Sequence, residues 1–126
     1  MANSLLRVTL PVNLTNNNNG QTKHFGKSAA DRKKFERMLK RLGLVRKPFD
    51  VPVVVYVTRV LGKGQRCWDS SSGLRGSYKQ LEDACVACGW FHDDSYKFIK
   101  ETRFFQDDTQ RSNGPAVVIE AFRFPA

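Results

Sequence analysis

The segment Lys79-Gln80-Leu81-Glu82-Asp83-Ala84-Cys85-Val86-Ala87-Cys88-Gly89-Trp90-Phe91-His92-Asp93-Asp94 constrains this chain more than any other. Leu74, Tyr78, Leu81, Cys85 and Cys88 recur at helical spacing, which predicts an amphipathic helix from about Leu74 to Cys88 with one apolar stripe. Gly89 is the stop, because glycine takes the left-handed conformation that ends a helix without a Cβ penalty. A hydrophobic step, Trp90-Phe91, follows, and then the adjacent carboxylates Asp93 and Asp94. On a neighbouring face of the same helix, Arg75, Lys79 and Asp83 are spaced by four.

The elements around this segment predict one small α+β domain spanning the chain, in the order β-α-β-α-β-β, with a small mixed four-stranded sheet packed with two helices. Leu6-Arg7-Val8-Thr9-Leu10 alternates as a half-buried strand does, and Pro11 ends it. Asn13 to Gly20 reads as a polar loop. Ser28 reads as an N-cap with Asp31 in the capping-box position. Phe35, Met38, Leu39 and Leu42 then mark one helical face, and Gly43 stops that helix. Val51 to Leu61, rich in β-branched residues, reads as a buried strand with Pro52 near its start. Gly62 to Arg66 is a basic loop, and Asp69 to Gly73 a second turn. Tyr96 to Phe105 and Ala116 to Phe124 read as the last two strands, joined by a hairpin-like linker around Asp107, Asp108 and Asn113-Gly114.

Charge is divided along the chain. Residues 1–66 hold 14 Lys and Arg against 3 Asp and Glu, a balance of +11; residues 67–126 hold 7 against 9, a balance of −2. A basic part beside an acidic part suits a protein that grips a polyanion with one and binds cations with the other. Lys33, Lys34 and Arg37 on the first helix, Lys63 and Arg66 in the basic loop, and Arg75 are the candidate phosphate contacts. Trp68, in a polar loop, is the candidate for stacking on an unpaired base, whereas core packing is the expectation for Trp90. No apolar run reaches the length of a membrane span, and the first residues lack the pattern of a signal peptide. With three cysteines, these features predict a reducing cytoplasm.

Two carboxylates just past a helix, with a lysine at its start, can hold a divalent metal against a phosphate. An alternative use of the same region is zinc, with Cys67, Cys85, Cys88 and His92 as four possible ligands. Against it, Cys85 and Cys88 fall on the apolar stripe, where free cysteine behaves as a small hydrophobe.

The motif order resembles that of the RusA-like Holliday-junction resolvases, small endonucleases of bacteria and phages, over most of the chain. Val8-Thr9-Leu10-Pro11 followed by Asn16-Asn17-Asn18 is similar to the family's opening strand and asparagine loop. Leu74-Arg75-Gly76-Ser77-Tyr78-Lys79 resembles the start of its central helix, including a functional lysine. Gly89-Trp90-Phe91-His92-Asp93-Asp94-Ser95-Tyr96-Lys97 resembles its glycine, hydrophobic step and aspartate pair, and Val117-Val118-Ile119-Glu120 its closing strand. The resemblance implies a homodimer that cuts four-way, branched DNA with Mg²⁺ or Mn²⁺. It implies Asp94 as a catalytic metal ligand and Lys79 as a catalytic residue.

At one place the chain departs from the family. An aspartate-x-aspartate-asparagine motif should precede the central helix, and Ser70-Ser71-Ser72-Gly73 stands there instead. Asp69 is the one acid beside it, so Asp69, with Asp83 or Asp93, is the candidate to complete the metal set. Two further readings follow. One is a catalytically degenerate relative that binds DNA or a protein as a regulator or inhibitor. The other is a zinc-stapled nucleic-acid-binding module.

Overall fold

Val-Val-Val-Tyr-Val-Thr-Arg-Val, residues Val53–Val60, forms strand β2, and nearly every one of its side chains is buried. β-Branched residues suit the pleated backbone, and as a central strand β2 has neighbouring strands on both edges. The computed structural model describes residues 4–15, 25–68 and 77–125. Within them β1 is Ser4–Leu10, α1 Phe25–Arg41, α2 Tyr78–Ala87, β3 Ile99–Asp107 and β4 Ala116–Arg123, with a single 3-10 turn at Arg111–Asn113. The order β-α-β-α-β-β and the α+β class are as the sequence predicts. The sheet runs β1-β4-β2-β3, so β2 and β4 are central. Both are largely buried, whereas the edge strands β1 and β3 alternate between exposed and covered positions.

The sheet is mixed: β2 pairs parallel with β3, and β4 runs antiparallel to both β1 and β2. This corrects the expected hairpin between the last two strands, which are not neighbours. β2 needs a partner on each edge, and the β2–α2–β3 connection supplies a parallel one through its helix, as parallel pairs require. The linker after β3 must therefore pass β2 to place β4 on its other side. Val53, Val55, Val57, Val117 and Ile119 on one sheet face meet Phe35, Leu39, Leu81 and Cys85 from the two helices in the main core.

Several element ends differ from the sequence reading. α1 begins at Phe25, so Ser28 lies inside the helix and is not its cap. Leu42, expected on the buried face, is 46% exposed because the helix has already ended at Arg41. β3 begins at Ile99 rather than Tyr96. Asp93 Oδ1 accepts from the Ser95 N–H, and the Ser95 carbonyl accepts from Phe98 and Ile99 N–H, which makes residues 93–98 a turn. The asparagine loop at 16–19 and the start of the second helix at Leu74 lie outside the described residues.

The end of α2 is pinned. Gly89 has φ +88°, and the Cα hydrogen that faces Arg46 leaves no room for a methyl group against that residue's carbonyl oxygen. Arg46 N–H donates to the Cys88 carbonyl, 3.1 Å, and the buried Trp90 donates its indole N–H to the Leu44 carbonyl, 2.5 Å. Gly43 also has positive φ, +73°, but faces open space. Left-handed backbone costs a non-glycine residue of order 1–3 kcal/mol. Gly43→Ala should therefore lower stability by that amount alone, and Gly89→Ala by clearly more. Urea denaturation of both variants beside the parent measures the difference, which is the contribution of the close approach to Arg46.

Candidate functional site

Lys79 lies in the first turn of α2, so Glu82 and Asp83, three and four residues on, rise over the same face. Asp94 reaches that face from the other direction. The Gly89 turn and the buried pair Trp90-Phe91 fix the chain, with Phe91 against Phe49 at 6.0 Å between ring centroids, and three residues later Asp94 stands beside the helix start. Lys79 Nζ is 3.3 Å from Glu82 Oε1 and 3.2 Å from Asp83 Oδ1, and it donates to Asp94 Oδ2. One carboxylate oxygen each from Glu82, Asp83 and Asp94 lies within 4.8 Å of the others. Of the sequence candidates, then, Lys79, Asp83 and Asp94 come together.

Asp93 does not join them. Its carboxylate is engaged by Ser95, through backbone and hydroxyl, which lowers its pKa and shapes the turn. Asp69, Arg75 and the serines at 70–72 lie outside the described residues. Glu82 is the member that the sequence reading missed. Its only signal was its place three residues after Lys79, an ordinary spacing for an ion pair on any helix.

The electrostatics of the cluster are uneven. Burial lowers the Lys79 pKa, but hydrogen bonds to Asp94 and Asp83 and the charges of Glu82 and Asp83 outweigh it and hold the ammonium well above the ordinary lysine value. Glu82 moves up instead: burial raises it, Lys79 opposes, and Asp94 and Asp83 raise it further. Three carboxylates around one ammonium leave an excess of negative charge that Lys79 does not cancel.

A groove of about 410 Å³, bordered by Arg32, Glu36, Asp83, Asp93 and Asp94, opens beside the cluster between the two helices. A second groove of about 670 Å³ runs along the other side of α1, where Lys34, Arg37 and Arg41 face Pro11, Val12 and Asn13 of the segment after β1. Ser77 ties that segment to the start of α2: Thr15 N–H donates to Ser77 Oγ at 2.9 Å, and Ser77 N–H donates to the Thr15 carbonyl at 3.2 Å. Lys33, Lys34 and Arg37 are exposed.

The loop after β2 is held by arginines that the sequence reading did not single out. Arg59 is 4% exposed and donates to the Arg66 carbonyl and to Gln106 Oε1, both at 3.0 Å. Arg111 donates to the carbonyls of Gly62 and Gln65 at 2.8 and 2.6 Å. Lys63 and Arg66 are thereby presented to solvent. Trp68 is packed rather than displayed. Its ring lies under the Arg59 guanidinium at 3.9 Å and parallel to Phe104, and its backbone exchanges two hydrogen bonds with Gln106. That differs from the open stacking platform expected, and the reason is the buried Arg59, whose cation needs the ring and the carbonyls around it.

Cys85, Cys88 and His92 do not converge. Cys85 and Cys88 are buried, burial raises both thiol pKa values, and the exposed His92 lies against the Phe98 ring. All three cysteines are free, and among the described residues no helix is long and apolar enough to cross a membrane.

Glu82 binds a proton more readily in the folded chain than in the unfolded one. Its ionisation therefore opposes folding, and this contribution to stability is lost as pH rises from about 4.5 through the raised folded value. Glu82→Gln should equal the parent in stability near pH 4 and gain on it progressively towards pH 7. Urea midpoints of both proteins across that range check the sign.

No family model matches this chain, and no curated protein matches it.

Proposed function

We propose that the protein is a metal-dependent endonuclease of branched, four-way DNA, acting as a homodimer in the manner of the RusA-like resolvases that its sequence resembles. The observation that carries the reading is the ring of Glu82, Asp83 and Asp94 oxygens around Lys79, set beside a helix rich in exposed cations. Carboxylate oxygens suit Mg²⁺ and Mn²⁺. Asp94, Asp83 and Glu82 would hold such an ion, which would supply an activated water and a Lewis acid at the scissile phosphate. Lys79, at the start of α2, would offset the charge of the non-bridging oxygens. Lys33, Lys34 and Arg37 bind the flanking backbone, with Lys63 and Arg66 on the loop beyond β2.

One observation favours a second reading, a DNA-binding protein without catalysis. Serines occupy positions 70–72, where the family carries acids, and the Lys79 ammonium sits among the carboxylates that a metal would use.

The discriminating experiment is cleavage of a synthetic four-way junction. The nuclease reading predicts slow cutting with Mg²⁺ and faster cutting with Mn²⁺. Asp94→Asn should abolish cutting while junction binding is kept or strengthened, because a negative charge near the phosphate is removed. Tight junction binding by the parent protein with no cutting under either metal would establish the second reading instead.

Binding itself should fall steeply with salt, because a protein that neutralises phosphates releases their condensed cations. Replacing Lys33, Lys34 and Arg37 together with alanine should reduce the slope of log K against log salt by up to about 2.7, roughly 0.9 for each phosphate no longer neutralised. An unchanged slope would place the DNA on another surface.

A further inference from the structure

Both helices pack on one face of the sheet, and no described helix covers the other. The uncovered face is apolar at its centre. Tyr56 of β2 contacts Phe105 of β3 and Phe122 of β4, with ring centroids 5.5 and 5.0 Å apart, and Phe105 is 44% exposed. The strand registers place these three rings on the side opposite Val55, Val57 and Ile119.

The charges on this face nearly cancel. Arg7 pairs with Glu120 at 3.6 Å and Arg103 with Glu101 at 3.0 Å, and Asp107 at the margin, held by the uncharged Thr109 and Gln110, leaves one negative charge over. In a chain of net charge +9 a face without excess cations is informative. A polyanion finds no net attraction here. A second copy of the same basic protein meets little net repulsion here, and each face offers the other two arginines and two glutamates to pair with. We infer that this open sheet face is the surface through which two copies of the chain associate, Tyr56, Phe105 and Phe122 of one copy packing on those of the other. The assignment rests on the two-copy element of the proposed function and adds the surface to it.

A twofold axis lays such a face on itself, in the manner of two stacked sheets about 10 Å apart. Four strands at about 4.8 Å spacing and about eight residues of about 3.3 Å give a face of roughly 500 Å² in projection. Side-chain relief increases its accessible area towards the ~800 Å² per partner of a specific interface. The dimer is therefore at the small end of stable interfaces, and its dissociation is measurable.

Sedimentation of the full chain between about 1 and about 100 µM, without DNA or metal, tests this. The parent should pass from monomer to dimer across that range. Phe105→Glu should weaken association at least tenfold with an unchanged circular dichroism spectrum, and Val45→Glu, an exposed apolar position outside the face, should not. Two variants independent of apolar packing guard against misfolding. Arg103→Glu and Glu101→Arg give faces of opposite net charge, so each alone should stay monomeric and an equimolar mixture should restore the dimer. A parent protein monomeric throughout, or charge variants that dimerise as well as the parent, would overturn the inference. Junction cutting by a monomer would sink this interface and leave the nuclease reading standing; a dimer that binds and cuts no junction would do the reverse.

Discussion

The docking of the α1–β2 linker against the end of α2 is the interaction on which the candidate site depends. Arg46 N–H reaches the Cys88 carbonyl, the Trp90 indole reaches the Leu44 carbonyl, and Gly89 makes the approach possible by lacking a side chain. Helix α2 stops there, and the chain reverses over a buried aromatic pair. Asp94 is an exposed residue on a turn, yet its position is set by what is buried a few residues earlier. Its proximity to Lys79 is thus a consequence of core packing and not of the ion pair, which between half-exposed groups contributes little stability by itself.

The sheet distributes burial in a way that explains the rest of the molecule. β2 and β4 are covered on both edges by strands, and their Val-rich sequences have no exposed edge to protect. The helices cover one face only. The other face therefore carries both the aromatic cluster at Tyr56 and the paired charges around it, while the excess cations sit on α1 and on the loop beyond β2. Surfaces rich in cations, rich in carboxylates and nearly free of net charge thus lie on different parts of the architecture.

Arg59 shows how a buried charge organises its surroundings. A guanidinium removed from water seeks hydrogen bonds, and Arg59 Nη1 finds them at the Arg66 carbonyl and Gln106, while its buried Nε finds none. Satisfying them draws the loop inward and turns the Trp68 ring onto the cation. Lys63 and Arg66 are left outside as the solvent-facing part of the same loop.

The sequence by itself determined the class of fold, the order of its elements and the closeness of Lys79 to Asp83. Those features rest on local periodicity: helical spacing from about Leu74 to Cys88, alternation in β1, a stretch rich in β-branched residues in β2, a glycine at 89. The Asp93-Asp94 pair was legible as chemistry, and the resemblance singled out Asp94; the reason Asp93 stays apart, its fold back onto Ser95, was not legible. Only the tertiary structure decided that β2 separates β3 from β4, that Glu82 belongs to the carboxylate ring, and that Trp68 is covered by Arg59. Each of these joins residues distant in sequence or turned by a local hydrogen bond, and residue spacing along a chain carries no record of how strands are ordered across a sheet.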